Sequence, residues 1–375
     1  EESRAPRSTG VVSCEIPTMT DDSTLPNVVW TKLEAASSCK PCSRSSHGLS
    51  LVMGGTKLVL YGGEHVARTP LGPEESLWIG TLSNDDTTVE WSRGSRSSRS
   101  SGSDGPIVTP SDRVAHAQAS YKDKYVYIFG GRAGIQMQEQ AMNDLWRFNV
   151  ETGEWLEIIT KSESPEARSF HKMVCIDDAL YVFGGCGEKS GRLADMHKLD
   201  LQTNTWHSLG TSHLLRGRGG PNLIHFQDEK MLAVVAGFAG EETNDGHAFD
   251  LSQEKWKEGG LLELNDLRPR SVCCFGSFEK NMGILFGGEV DPSDRGHEGA
   301  GGFENDIVFL ENGKYMGRRV APNNDSTTTI WPETRGWSDA TCAKDKMQMF
   351  LFGGLSGDDT DPRRLDDLWR LDIAG

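Results

Sequence analysis

A short apolar run ending in Gly-Gly, or once in Ala-Gly, occurs six times along the chain, and this recurrence limits the fold more than any other feature. The runs are KLVLYGG, YVYIFGG, ALYVFGG, MLAVVAG, MGILFGG and MQMFLFGG, with last glycines at Gly63, Gly131, Gly185, Gly237, Gly288 and Gly354. The intervals between them are 68, 54, 52, 51 and 66 residues. A period near 50 marks an array of like units, each unable to bury its own faces alone. A second signal repeats downstream. NDLWRFNVETGEW, ADMHKLDLQTNTW and NDGHAFDLSQEKW place Trp155, Trp206 and Trp256 eleven residues after Asp144, Asp195 and Asp245. The ETGE, QTNT and SQEK segments read as hairpin turns between strands. Each unit is therefore expected to be a four-stranded antiparallel sheet, and the array an all-β, six-bladed propeller.

The irregular units extend this reading. The first has Ser76 in the Asp position and a longer hairpin, SLWIGTLSNDDTTVEW. The fifth lacks a Trp, and Tyr315 is the candidate for its place. The sixth ends at DDLWRLDIAG with no chain left for an outer strand. NVVWTKLE near the start, carrying Trp30, is the candidate strand that completes it and removes the free sheet edges. The propeller is expected over residues 27–374, after a flexible polar segment over residues 1–26. A Ser/Arg/Gly-rich insert over residues 92–110 reads as a solvated loop, or as a phosphorylation or docking segment, since Arg93, Arg96 and Arg99 lie among serines.

Charge and cysteine content exclude some functions. Thirty-nine basic against 55 acidic residues give a net charge of −16, which disfavours nucleic acid or an anionic membrane as partner. No apolar run reaches the ~18 residues of a membrane helix, and the first ten residues, EESRAPRSTG, show no apolar signal core. Eight irregularly spaced cysteines fit a reduced, cytoplasmic protein. CKPC (Cys39 and Cys42) has no second ligand pair for zinc and no strand–helix setting for redox work, so it reads as a pair of loop cysteines.

Candidate binding residues also recur. Arg44, Arg113, Arg168, Arg218, Arg270 and Arg335 precede the glycine-pair position by 16 to 18 residues. Pseudo-rotation is expected to bring them to one mouth of the central channel. Their planar forks suit carboxylate, sulfate or phosphate, on a small molecule or an acidic peptide. Pairing with local acids such as Glu166 or Asp112 is the structural alternative. His47, His116 and His171 follow three of these arginines by three residues and are expected to hydrogen-bond within their blades.

The repeats resemble kelch repeats over nearly the whole chain. More narrowly, SRSSHGLSLV, PEARSFHKMV with LYVFGG, GGEVDPSDRGHEGAGG and TRGWSD resemble, in order, segments of the plant specifier proteins, the nitrile-, epithionitrile- and thiocyanate-forming proteins of glucosinolate breakdown. That resemblance implies ferrous iron held by Glu, Asp and His at four-residue steps, and an unstable sulfated substrate. Glu289 and His297 match the first and last ligands; Ser293 stands at the middle one, flanked by Asp294 and Asp291. Arg113, Arg168 and Trp337 match the region of the substrate pocket.

Two carboxylates and an imidazole form a set suited to Fe(II) with positions left open for substrate, so Glu289, Asp294 and His297 are the candidate ligands. A polar surface loop with solvated acids is the alternative. Two functions remain. One is a lyase- or isomerase-like site at the channel mouth for an anionic small molecule, with Trp337 against its apolar part. The other is a kelch interaction module gripping an acidic peptide. The absence of a BTB or F-box segment from these residues favours the first.

Overall fold

The computed structural model describes residues 25–94, 109–134, 140–322 and 330–374, and within them every side chain except that of His297. The strands group as the repeat predicts. Ala117–Tyr121, Tyr125–Phe129, Leu145–Asn149 and Glu154–Glu157 form one antiparallel blade. The next three blades follow the same order from Lys172–Ile176, Asn222–Phe226 and Cys274–Phe278 as their inner strands. The inner strand of the first blade is Gly48–Val52 and that of the last is Asp339–Ala343.

Closure comes from the chain start. Strand Asn27–Ala35 pairs antiparallel with Arg363–Ala374, the last strand, in the register Trp30↔Leu371. It then pairs in parallel with Thr88–Arg93 of the first blade through Glu34 and Ala35, so that first and last blades share one eight-stranded sheet. The register shows why a Trp sits there. Trp155 faces Phe148, Trp206 faces Leu199, Trp256 faces Phe249 and Trp91 faces Gly80. Tyr315 faces Leu310 and takes the vacant place in the fifth blade. Trp30 holds the same place in the last blade and stacks edge-on to Phe286, Trp331 and Trp369.

The core lies between blades. Tyr127, Phe129 and Leu145 of the second blade bury against Met173, Val182 and Trp206 of the third, and similar clusters fill the other boundaries. Because both faces of a blade are covered, the second strands read as unbroken apolar runs such as KLVLY rather than as alternating ones. The glycine pairs occur where blades nearly touch. A Cβ on Gly62 (φ +66°) would meet the Arg113 carbonyl at 2.7 Å and His116 at 2.8 Å; one on Gly63 (φ +92°) would meet the Ser45 carbonyl at 2.7 Å. Glycine meets that conformation and approach without a clash; the fourth blade has Ala236 (φ +57°) at the first position of the pair.

Around the axis, six residues in left-handed conformation form a closed ring of backbone hydrogen bonds. The N–H of Ser46 donates to Trp337 O, Ala115 to Ser46, Phe170 to Ala115, Gly220 to Phe170, Val272 to Gly220 and Trp337 to Val272, at 2.8–3.1 Å. Their φ values lie between 47° and 58°. Each is the second residue after one of the six recurring arginines.

Two boundaries differ from expectation. Leu25, assigned by sequence to the flexible leader, is buried beside Trp30, and its carbonyl accepts from Arg319 Nη2 at 2.8 Å. Ser92 and Arg93 belong to strand Thr88–Arg93 rather than to the insert, because Trp78↔Arg93 and Ile79↔Ser92 complete the ladder. Arg96 and Arg99 lie outside the described residues, as does the leader up to residue 24.

Candidate functional site

The six recurring arginines do not line a positive mouth. Arg44, Arg113, Arg168, Arg218, Arg270 and Arg335 are all buried within their blades. Arg113 shows the common arrangement. Its Nε donates to Ser111 O, its Nη1 to Gly130 O, and Nη1 and Nη2 grip both oxygens of Asp144 at 2.8 and 2.7 Å. The same fork joins Arg168 to Asp195, Arg218 to Asp245, Arg270 to Asp306 and Arg335 to Asp367. These aspartates open the DLW-type motif, so five of the six repeats carry their own counter-ion. Burial opposes ionisation of Asp144, Asp245 and Asp367, but the facing guanidinium prevails and holds each carboxyl below its usual range.

The first blade departs from this rule. With Ser76 in the Asp position, Arg44 donates to the Cys42 carbonyl and, at 3.5 Å, to its Sγ, with Glu75 at 3.8 Å. Burial pushes the Cys42 thiol up, more than Arg44 lowers it. All seven described cysteines are free thiols.

The histidines are structural in a different way from that expected. His116 packs across a blade boundary onto Gly62 and edge-on to Tyr61; His171 does so onto Gly130 and Phe129, and His47 onto Gly353 and Phe352. They are keyed into the neighbouring blade's glycine gap, and none of their ring nitrogens has a partner within hydrogen-bonding geometry among the described residues.

The mouth is built from two sets of residues, those of the backbone ring and those just after the glycine pairs. The second set comprises Glu64, Arg132, Cys186, Phe238, Glu289 and Leu355. Arg132 differs from the recurring arginines. Bridges to Val114 and Ala141 fix its backbone, and its side chain lies over the Phe170 ring, 5.0 Å from the centroid. Only 1 % of the residue is exposed, yet Nε and Nη1 have no hydrogen-bond partner among the described residues. Leaving such donors unmet costs about 1–3 kcal/mol. Burial lowers its pKa, Glu64 raises it, and Arg68 lowers it further. Phe170 in turn meets Trp337 edge-on at 5.3 Å, and Trp337 packs on Ala300, Phe303 and Leu355. Trp337 thus joins the backbone ring to the fifth- and last-blade residues beside it.

Across the mouth lie acids. Glu289 is 8 % exposed, and its backbone pairs with Ser271, whose hydroxyl donates to Glu242 Oε1 at 3.2 Å. Glu242 Oε2 is buried without a partner among the described residues. Burial and the Glu289 charge push the Glu242 carboxyl up to about 8; burial, with Asp359, pushes Glu289 up to about 7.

The iron set suggested by sequence does not form among these residues. Asp294 is exposed whereas Glu289 is buried, and Asp291 pairs with Arg268 at 3.1 Å. Ser293, at the middle ligand position, gives its hydroxyl to Asp359 of the last blade, and Arg295 Nη1 donates to the Asp359 carbonyl at 2.5 Å. The His297 side chain lies outside the described residues. Among the described residues no three His, Cys, Asp or Glu side chains stand together as a metal site. The described members of the set, Glu289 and Asp294, do not by themselves make an iron site, and no step is derived through it.

Comparison with known proteins accords with the geometry. The model of the KLHDC2/KLHL20/DRC7 Kelch-repeats domain matches residues 87–288, more than half of the chain. N-(sulfonatooxy)prop-2-enimidothioate sulfolyase of Thlaspi arvense is 26% identical over 87% of this chain and 92% of its own length. Adagio protein 3 of Arabidopsis thaliana is 26% identical over 90% of this chain, which spans 51% of that protein. The solved structure of YjhT superposes with a TM-score of 0.62 over 88% of this chain and 95% of its own, at 14% identity, and so supports the fold alone. The chain belongs to the kelch-repeat family, as a propeller distantly related to a specifier-type sulfolyase.

Proposed function

We propose that the channel mouth binds a small organic anion and promotes lyase-type chemistry on it, in the manner that the name of the Thlaspi arvense relative describes for a sulfonated thioimidate. One observation carries this reading: Arg132 is a buried guanidinium with two donor atoms unmet among the described residues, set over Phe170, which itself meets Trp337 edge-on. The guanidinium suits the anionic end of a ligand, and the two aromatic faces suit its apolar end. A charge-assisted hydrogen bond contributes about 1.5–3 kcal/mol, so Arg132→Gln is expected to weaken binding at least about tenfold. Calorimetric titration with methyl sulfate measures this. Unchanged affinity in Arg132→Gln sinks the binding half of the reading. Incubation with N-(sulfonatooxy)prop-2-enimidothioate tests the chemical half, which expects the nitrile and other products to differ from the protein-free control.

The reading as an acidic-peptide module rested on six accessible arginines, and their burial, five of them against aspartates, removes that support. Iron dependence through Glu289, Asp294 and His297 is a separate question of uptake, decided by elemental analysis after anaerobic loading with Fe(II).

A further inference from the structure

The axis inside the backbone ring carries a pair of charges that the repeat does not prescribe. Two residues past each ring member stand Gly48, Ala117, Lys172, Asn222, Cys274 and Asp339. Lys172 and Asp339 are the charged members of this set. They belong to the third and last blades, which lie opposite each other, because Phe170 and Trp337 are three hydrogen-bonded steps apart around the ring. Lys172 Nζ faces Asp339 Oδ1 at 3.8 Å, so the pair spans the axis at a separation too long for a hydrogen bond. Asp339 Oδ2 accepts from the Leu49 N–H at 2.8 Å, and the Lys172 ammonium lies 5.4 Å from the Phe275 ring centroid.

Two cavities adjoin the pair. One of about 40 Å³ is lined by all six ring residues and by Lys172. The other, of about 180 Å³, runs between the inner strands of all six blades and has Lys172 and Asp339 together in its wall. That is far more than the ~10–15 Å³ one water needs. Its third charged lining group among the described residues is Lys344, exposed at the end away from the ring. Three hydroxyls complete the wall. Ser50 Oγ accepts from Gln118 Nε2 at 3.0 Å, Thr341 Oγ1 from the Leu51 N–H at 3.0 Å, and Ser277 Oγ from the His225 N–H at 2.9 Å. Each hydroxyl therefore keeps its own proton to donate.

We propose that this axial cavity is a second binding site, taking a small zwitterion of the α-amino acid class laid antiparallel on the Lys172–Asp339 pair. The carboxylate of such a molecule meets the Lys172 ammonium and the wall hydroxyls. Its ammonium meets Asp339 Oδ1. A simple anion on Lys172 would also face Asp339, and a simple cation on Asp339 would also face Lys172, so each is repelled where the zwitterion is matched. Arg132 does not line this cavity, so the site stands or falls apart from the anion reading above.

The test titrates the full chain with glycine, acetate and methylammonium by calorimetry, in the wild type, in Lys172→Met, in Asp339→Asn and in the double variant. The wild type is expected to bind glycine at least about tenfold more tightly than either simple ion. Lys172→Met should turn the preference toward methylammonium, and Asp339→Asn toward acetate. Either single variant leaves one charge alone and could fail to fold. The double variant leaves none, and the asparagine carbonyl can still accept from the Leu49 N–H, so it is expected to fold. It should weaken glycine binding at least about tenfold. A pair that only ties opposite blades together predicts otherwise. No saturable glycine binding by the wild type would mean that the cavity holds water alone, and the proposal falls. It falls equally if the folded double variant binds glycine like the wild type, or if acetate or methylammonium binds the wild type as tightly as glycine.

Discussion

Arginines of the two kinds in this propeller meet opposite fates. Arg113, Arg168, Arg218, Arg270 and Arg335 recur with the repeat, and each is closed off by an aspartate of its own blade. Arg132 occurs once, has no such aspartate, and keeps buried donors unmet at the mouth. Both kinds are fully covered, so burial does not separate them. What separates them is whether the fold already supplies the acceptor. An arginine that the architecture needs arrives with its partner. One that the architecture does not need, held in place without a partner, points to a ligand.

The largest break in this comparison comes from the recurring set. Arg270 and Asp306 are the most enclosed pair, with side chains only 1% and 2% exposed. Arg270→Ala leaves the buried Asp306 carboxylate with only the exposed Arg318 guanidinium at 3.5 Å and is expected to lower unfolding stability by about 3–5 kcal/mol, read from chemical denaturation. A midpoint near wild type would falsify the structural assignment of these arginines. Acid attacks the same forks together, each by a smaller amount. Asp144, Asp195, Asp245 and Asp367 have folded pKa values depressed below the unfolded one. Their contribution is present above the unfolded pKa of ~3.9 and is lost as pH falls through the folded values. Stability measured downward from pH 5 should therefore drop, and Asp245→Asn should make that drop shallower; an unchanged slope would count against the pairing.

The smallest effect sharpens the comparison in the first blade. Trp146 and Trp369 donate their indole N–H to Asp144 and Asp367 at 2.6 Å, whereas the Trp78 indole nitrogen has no partner among the described residues. Ser76→Asp should offer an acceptor to both Arg44 and Trp78, raising stability by about 1–2 kcal/mol. A lower denaturation midpoint would mean that Cys42 and Glu75 already complete this blade.

Much of the scaffold was legible in the sequence because its constraints act on the backbone. A glycine pair squeezed between blades, or a Trp facing the position four after an Asp, must return at each turn of the repeat, and so Trp30 could be placed in the last blade from sequence. The Arg–Asp forks were equally periodic. The arginines were aligned with one another and not with Asp144, Asp195, Asp245, Asp306 and Asp367, and Ser76 is the exception that reveals the rule. The mouth was less legible. Trp337 and Glu289 stood out, but Arg132, Phe170 and Glu242 occupy positions whose residue type changes from blade to blade, where no period exists to detect. The signal available was departure from the repeat: Arg132 stands where other blades have Glu, Cys, Phe or Leu.

The ring of six backbone hydrogen bonds separates closure from chemistry. Each of Ser46, Ala115, Phe170, Gly220, Val272 and Trp337 contributes only its peptide groups to the circle, and all six donate in the same rotational sense. A blade cannot shift along the axis without breaking two of these bonds, one to each neighbour. Their side chains range from none to an indole without altering the circle. The mouth is therefore a set of six interchangeable stations on a fixed frame, and a new ligand preference can arise at one station while the other five go on holding the molecule shut.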